Sequence, residues 1–253
     1  MKTVFITGAV NGIGLATARL FAARGYFVGL YDVNRESLEA LLDSGEFPRA
    51  CGQYCDVTQR QSVDEALKHF SDNTDGRLDV LVNNAGVLSS DRFEDVDPAL
   101  HDAMINVNIR GVTQVAQAAF PLLKQTANAC LVNLCSVSSV HGIPLLAVYS
   151  SSKFYVDGLT QALSIEWAQH GIRVTCIKPP LVNTTMGHSV QAQLAEKMSV
   201  NMQPEDVARA VQRAVDGRRD SYILGRPTIV WGWIDRLLPD AGRRALARWM
   251  TNF

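Results

Sequence analysis

Short β-rich runs alternate along this sequence with longer stretches whose apolar residues recur at helical spacing. In the first such stretch, Leu15, Ala18 and Phe21 would lie on one face of a helix packed against a sheet. This alternation is typical of βαβ units, which build parallel sheets. The predicted strands are Thr3–Thr7, Phe27–Asp32, Gln53–Asp56, Leu78–Asn83, Ala129–Cys135, Ile172–Ile177 and Tyr222–Leu224.

The stretches between the strands are predicted helices. With 253 residues and 47% hydrophobic content, the chain can bury one large core. We therefore expect a single domain of the α/β class, with a doubly wound, mostly parallel sheet of about seven strands and helices on both faces. The predicted helices are Ile13–Arg24, Arg35–Leu42, Gln59–Phe70, Pro98–Leu123, Tyr149–Gln169 and Pro204–Asp216.

Charge and composition exclude several classes of function. The net charge of -1 gives no broad positive field, so nucleic acid is not an expected partner. Because Met1-Lys2 lead directly into the first predicted strand, a secretory signal peptide is not expected, and no apolar run is long enough to span a bilayer. Five cysteines without a CxxC pair, and histidines without ligand spacing, indicate no disulfide framework and no metal site. A reducing cytoplasm fits best.

A glycine-rich segment, Gly8-Ala9-Val10-Asn11-Gly12-Ile13-Gly14, joins the first strand to the first helix. Glycines at such a turn let the backbone approach a pyrophosphate, and the following helix N-terminus favours negative charge. Asp32 ends the second strand, where a carboxylate accepts hydrogen bonds from ribose hydroxyls and repels a 2′-phosphate. The pattern predicts a dinucleotide site that favours NAD.

The spacing of these glycines resembles the Thr-Gly-x-x-x-Gly-x-Gly fingerprint of the short-chain dehydrogenases, which have a Rossmann-type fold. The resemblance continues through Asp56-Val57 and Asn83-Asn84-Ala85-Gly86, and it covers Lys2 to about Thr184. It implies a cofactor half at 1–125, a catalytic half at 126–182 and a substrate lid at about 183–203. The residues implied to bind NAD are Gly8, Asn11, Gly12, Ile13, Gly14, Asp32, Asp56, Val57, Asn83, Ala85, Gly86, Tyr149, Lys153, Pro179, Val182 and Thr184.

Four positions bear on this cofactor assignment. Relatives that use NADP generally carry a basic residue where this sequence has Asn11 or Val33, which supports NAD. Arg35 is near, but it follows Asp32 and is interpreted as a solvated side chain. In the segment Pro179 to Thr184 the family's glycine is replaced by Pro180, whose fixed φ requires a different turn.

Tyr149 and Lys153 stand four residues apart in a helical pattern and therefore share one face. A free phenol titrates near pH ~10, and an adjacent ammonium would lower its pKa toward a useful range. Ser136 follows an apolar strand, and its hydroxyl would stabilise charge on a reacting oxygen. A gap-free alignment with the family from Asn133 to Tyr149 selects Ser136 over Ser138 and Ser139.

The resemblance also identifies Asn108, whose family counterpart holds a water linked to the lysine, and so implies a catalytic tetrad of Asn108, Ser136, Tyr149 and Lys153. Tyr149 would exchange the proton of an alcohol while hydride passes to or from the nicotinamide, and Lys153 would also bind the ribose. A serine hydrolase is a poor rival, because Ser136 lacks the flanking glycines of a nucleophile elbow. A catalytically silent nucleotide-binding regulator and an epimerase or isomerase of the same fold remain alternatives.

Substrate and partners are less constrained. Ser136, His141, Tyr149 and Met186 are the expected substrate contacts, and the apolar lid favours a mainly apolar secondary alcohol or ketone. The tail at about 228–253 is predicted to form amphipathic helices that act as a lid, pack on the core or another subunit, or lie on a membrane surface. The predicted helices Pro98–Leu123 and Tyr149–Gln169 resemble those that pair subunits in the family, so a homodimer or homotetramer is expected. Small residues on these helices would let the helices of two subunits approach closely: Ala116, Ala118, Ala119, Ala162 and Ala168.

Overall fold

A parallel sheet forms the centre of the molecule. The computed structural model describes residues 1–190, 202–225 and 238–251. Within these ranges the sheet has seven strands in the order β3-β2-β1-β4-β5-β6-β7, and every pairing between neighbours is parallel. The predicted doubly wound α/β fold is confirmed. The strands are β1 Thr3–Thr7, β2 Phe27–Asp32, β3 Ala50–Tyr54, β4 Val80–Asn83, β5 Cys130–Leu134, β6 Arg173–Lys178 and β7 Ser221–Ile223.

Helices cover both faces of the sheet. Their positions follow the predicted pattern, with additional short turns at Phe93–Asp95, Val137–Ser139 and Trp167–His170. The helices are α1 Gly12–Ala23, α2 Arg35–Asp43, α3 Arg60–Asn73, α4 Pro98–Ile105, α5 Val112–Gln125, α6 Ala147–Glu166, α7 Thr185–His188, α8 Pro204–Asp216 and α9 Asp240–Thr251.

Alternate residues of each strand enter two separate apolar layers. In β1, Val4 and Ile6 pack with Phe21 of α1 and Val211 of α8, whereas Phe5 packs on the other face with Phe70 of α3. Successive side chains of a strand point to opposite faces, so a strand covered on both sides is apolar throughout. This arrangement leaves the carboxyl ends of the strands as the open edge at which ligands bind in such sheets.

Most element boundaries differ from the sequence prediction by one to three residues, and two differences have a clear structural cause. The third strand is Ala50–Tyr54, not Gln53–Asp56, because it pairs along β2 from Val28↔Ala50 to Asp32↔Tyr54. The helix predicted as Pro98–Leu123 contains a π-helical turn at Asn106–Gly111, which separates α4 from α5. Such turns are frequent at functional sites, and no propensity pattern marks them.

The predicted lid and tail are described only in part. Val182 forms a β-bridge with Met202, and Asn183 Nδ2 donates to Gln203 Oε1 at 3.0 Å, so the two ends of the lid segment are tied together. Residues 191–201, including Leu194, lie outside the described residues, as do 226–237 with the first predicted tail helix. Within the described ranges, no helix is both long and apolar enough to cross a bilayer.

Candidate active site

A cleft of about 390 Å³ opens where the carboxyl ends of the central strands meet the glycine-rich turn. It brings together most of the site residues that the sequence predicts, from both halves of the chain. Those that line it are Gly8, Asn11, Gly12, Ile13, Asp32, Asp56, Val57, Ala85, Gly86, Ser136, Tyr149, Lys153, Pro179, Val182, Thr184 and Met186.

The glycine-rich turn leaves space for a ligand against its backbone. Gly8 and Gly12 have φ of +65° and +48°, a region that glycine adopts without strain. Gly14 lies beneath the turn rather than on the cleft, and a Cβ there would stand 1.9 Å from the Gly8 carbonyl oxygen. Asn11, the N-cap of α1, makes no side-chain hydrogen bond to the first helical turn. The free N–H groups at this helix start therefore fit a pyrophosphate.

The Asp32 carboxylate closes the far end of this turn. It is 8% exposed, and its two oxygens accept from the backbone N–H of Val10 at 3.2 Å and of Asn34 at 3.0 Å. The nearby Arg35 side chain stacks on Tyr54, with its guanidinium carbon 3.9 Å from the centroid of the Tyr54 ring. A fixed carboxylate thus stands at the position where the adenosine ribose is expected.

The loop after β4 differs from the prediction at one residue. Asn83 is buried and donates from Nδ2 to the Val112 carbonyl at 2.9 Å, so its side chain holds α5 and does not line the cleft. Asn84 lines the cleft instead, and its Nδ2 donates to the carbonyls of Thr7 and Gly8 at 2.9 and 3.0 Å. Alternation along β4, which buries Asn83 against the helices, was the available signal.

Ser136 and Tyr149 meet at the centre of the cleft. Ser136 has extended backbone two residues after the end of β5, and its Oγ accepts from the Ser138 N–H at 3.2 Å. The sequence predicts that the adjacent ammonium lowers the pKa of the Tyr149 phenol, but burial raises that pKa in the free protein, and a hydrogen bond with Ser136 only partly offsets the effect. At neutral pH the phenol is therefore protonated in the free protein and can donate to an oxygen bound between the two hydroxyls.

Lys153 lies one helical turn after Tyr149 and is almost fully enclosed. Its Nζ donates to the Leu134 carbonyl at 3.0 Å and lies 5.5 Å from the centroid of the Tyr149 ring. The thiol of Cys135 donates to the Lys153 carbonyl at 3.2 Å, which ties α6 to the end of β5. Burial lowers the pKa of the Lys153 ammonium, because an enclosed charge loses its hydration.

Asn108 sits in the π-helical turn, just behind the cleft lining. Its Oδ1 accepts from the Val87 N–H and its Nδ2 donates to the Val87 carbonyl, both at 2.9 Å. A Cβ at Gly86 would stand 3.3 Å from Asn108 Oδ1 and 3.8 Å from Lys153 Nζ, so the amide and the ammonium both lie next to that glycine. The structure thus brings all four residues of the predicted tetrad to one place.

The end of the cleft beyond Tyr149 is apolar. Leu145 adopts φ of +66°, which is uncommon for a branched residue, and its carbonyl accepts from the Asp91 N–H at 3.1 Å. His141 does not line the cleft, contrary to expectation, whereas Met186 does. The residues that line this wall are Ile143, Leu146, Leu88 and Leu181, and Leu145 and Val190 pack with them in one apolar cluster.

The segment after β6 closes the cleft opposite the glycine-rich turn. The Pro179 carbonyl accepts from the Val137 N–H at 3.1 Å. Thr184 caps α7 by accepting from the Gly187 N–H at 3.0 Å. A Cβ on Gly12 would stand 3.2 Å from the methyl carbon of Thr184, so the two loops face each other closely. Among the described residues, no cluster of histidine, cysteine or carboxylate side chains has the arrangement of a metal site.

Comparison with known proteins agrees with this fold and site. The family model described as short chain dehydrogenase matches residues 2–195. A 3-oxoacyl-[acyl-carrier-protein] reductase of Thermotoga maritima is 33% identical over 233 residues, which cover 89% of this chain and 94% of that protein. The chain therefore belongs to the short-chain dehydrogenase family, and it is an oxidoreductase of that family.

Two solved structures share the architecture. A 3-ketoacyl-(acyl-carrier-protein) reductase from Brucella melitensis, complexed with NADH, superposes with a TM-score of 0.80 at 27% identity, covering 88% of this chain and 96% of that one. An alcohol dehydrogenase from Thermococcus sibiricus, complexed with 5-hydroxy-NADP, has a TM-score of 0.78 at 30% identity, covering 88% and 96%. These relatives bind different nicotinamide cofactors, so cofactor choice in this chain rests on its own residues.

Proposed function

We propose that this protein transfers a hydride between NAD(H) and a mainly apolar secondary alcohol or ketone. The observation that carries the proposal is the convergence of Ser136, Tyr149 and Lys153 in one cleft whose other end holds the Asp32 carboxylate. The proposal can be tested by measuring the decrease in NADH absorbance when the protein is mixed with each member of a panel of apolar ketones. If the protein failed to oxidise NADH with every one of these ketones, the proposal would be contradicted.

The residues of the cleft suggest how the reaction proceeds. A carbonyl oxygen placed between Ser136 and Tyr149 would accept a hydrogen bond from the serine and a proton from the phenol. When bound, the nicotinamide supplies the hydride to the carbonyl carbon. Lys153 has three N–H donors, one of which goes to Leu134, and the others would hold the ribose hydroxyls. Asn108 keeps the Val87 segment in place beside this lysine.

The wall beyond Tyr149 supports the apolar part of the substrate assignment. The side chains that form it are almost all aliphatic, so a hydrocarbon chain placed there would leave water for an apolar surface. The same wall offers few partners for the hydroxyls of a sugar or for a phosphate. Five buried, free cysteines also suit a reducing compartment such as the cytoplasm.

Cofactor preference is expected to depend on the charge of Asp32. In the variant Asp32→Asn, the side chain keeps one acceptor oxygen, for either the Val10 or the Asn34 N–H, and no longer repels a 2′-phosphate. The ratio of kcat/KM for NADH over NADPH should fall about tenfold or more. Glu36→Gln removes an exposed carboxylate from the first turn of α2, four residues after Asp32, and is the matched control. Equal use of both cofactors by the wild type would remove the basis of this assignment.

The subunit interface is proposed to lie on α6, with a correction to the residues expected there. Ala116 and Ala119 are buried against the sheet of their own chain and are not available to another subunit. Of the other expected residues, Ala162 and Ala168 are exposed and stay available. Large apolar side chains are also exposed on α6, at Phe154 and Ile165, the latter 79% exposed. Light scattering should give the mass of a dimer or tetramer, and Ile165→Glu should lower it. A wild-type monomer at micromolar concentration would refute the interface.

A further inference from the structure

Three neighbouring serines follow β5, and their hydroxyls have different surroundings. Ser136 Oγ accepts from the Ser138 N–H, and Ser139 Oγ donates to the Ser136 carbonyl at 2.8 Å. The Ser138 side chain is 1% exposed, and its Oγ has no hydrogen-bond partner among the described residues. One hydroxyl of the three is therefore enclosed without a partner.

Ser138 also belongs to the lining of the cleft, whereas Ser139 does not. The backbone nitrogen of Ser138 lies 3.2 Å from Ser136 Oγ. The two serines therefore belong to the same short helical turn, and their side chains are close in space. A buried hydroxyl without a partner is unfavourable, and such groups in native proteins call for an explanation. Rotation about one side-chain bond would turn this hydroxyl to a ligand bound at Ser136.

We propose that Ser138 is a substrate-binding residue whose hydroxyl hydrogen-bonds a second oxygen of the substrate. Because Ser136 binds the reacting oxygen, the second oxygen belongs on a carbon close to the reacting carbon, as in a 3-oxo ester or 3-oxo thioester. A serine hydroxyl can donate to such an acyl carbonyl. The rest of the substrate lies on the apolar wall, so the preferred class is a 3-oxoacyl compound with an aliphatic chain.

This inference rests on the proposed function for the identity of the reacting oxygen. The test compares ethyl 3-oxohexanoate with 4-nonanone, which have equal chain lengths and the ketone at the same distance from one end. The ratio of kcat/KM for the oxo ester over the plain ketone, measured with NADH, should fall about tenfold in Ser138→Ala. The oxo ester is intrinsically more reactive than the plain ketone, but this difference affects the ratio equally in every variant and cancels when the ratios are compared.

Ser139→Ala is the matched control, since it removes a neighbouring hydroxyl that is committed to the Ser136 carbonyl. Its substrate ratio should equal that of the wild type, while its thermal midpoint should fall. Ser138→Ala loses no hydrogen bond to the residues that the structure describes, so its midpoint should be equal to or above that of the wild type. A midpoint lowered as much as in Ser139→Ala would show that the Ser138 hydroxyl is held inside the protein, and would overturn the proposal.

A binding measurement separates this inference from the proposed function. With the protein saturated with NAD, a ketone cannot be reduced, and calorimetry gives the dissociation constants of both compounds. Ser138→Ala should weaken binding of ethyl 3-oxohexanoate about tenfold more than binding of 4-nonanone. Equal weakening would overturn the role of Ser138. Absence of NADH oxidation by the wild type with either compound would instead contradict the proposed function, and the binding comparison would still decide the role of Ser138.

Discussion

In the variant Tyr149→Phe, turnover should fall about 10³-fold while NADH still binds. The change removes only the phenol oxygen, and positioned proton transfer contributes on the order of 10²–10⁴-fold to such reactions. Ser136 and Lys153 remain in place, because Lys153 is held by the Leu134 carbonyl and not by the tyrosine. Initial rates of NADH oxidation measure the loss, and quenching of protein fluorescence by NADH measures binding.

The pH dependence of the wild type provides a second readout for the same residue. Because burial raises the pKa of Tyr149, the protonated form needed for reduction is present at neutral pH and is lost as the pH rises through that pKa. Alcohol oxidation needs the opposite form, so its rate should increase with pH. Tyr155→Phe, which removes an exposed phenol hydrogen-bonded to Thr113, is the control and should change neither rate nor profile. Wild-type activity in Tyr149→Phe would rule out the proposed proton donor, and an inactive wild type would favour a silent nucleotide-binding protein.

Lys153→Met should lower kcat/KM about 10²-fold and, unlike Tyr149→Phe, should also weaken NADH binding. Methionine fills a similar apolar volume but has no N–H donors for the ribose hydroxyls. Loss of the bond to Leu134 is destabilising, but the variant no longer encloses an ammonium whose pKa burial lowers. These opposing effects should leave the thermal midpoint within a few degrees of that of the wild type.

A second buried lysine provides the control for this variant. Lys178 is 4% exposed, and its Nζ pairs with Asp157 Oδ1 at 2.8 Å. Lys178→Met leaves that carboxylate without its partner, which costs roughly 3–5 kcal/mol in fully buried pairs and less here because the Asp157 side chain is 15% exposed. The thermal midpoint of Lys178→Met should therefore be lower than that of the wild type, whereas the NADH affinity of the folded variant should equal that of the wild type. If Lys153→Met bound NADH as tightly as the wild type, the ribose-binding role would be wrong.

The local features of this site could be predicted from the sequence. The alternation of strand and helix patterns follows from side-chain spacing, which each segment carries by itself. Gly8, Gly12 and Gly14 indicate a turn with close backbone approach because only glycine allows it there. Tyr149 and Lys153 share a helical face because they stand four residues apart. Each of these inferences depends on residues within one or two turns of the chain.

What the sequence could not determine depends on contacts between distant segments. The start of β3 at Ala50 depends on pairing with β2, and the burial of Asn83 depends on α5. Only the packed sheet shows that Arg35 stacks on Tyr54 and that Ser138 has an enclosed hydroxyl without a partner. Sequence spacing determines which side chains share an element, whereas the order of the strands in the sheet determines which elements meet at its carboxyl edge.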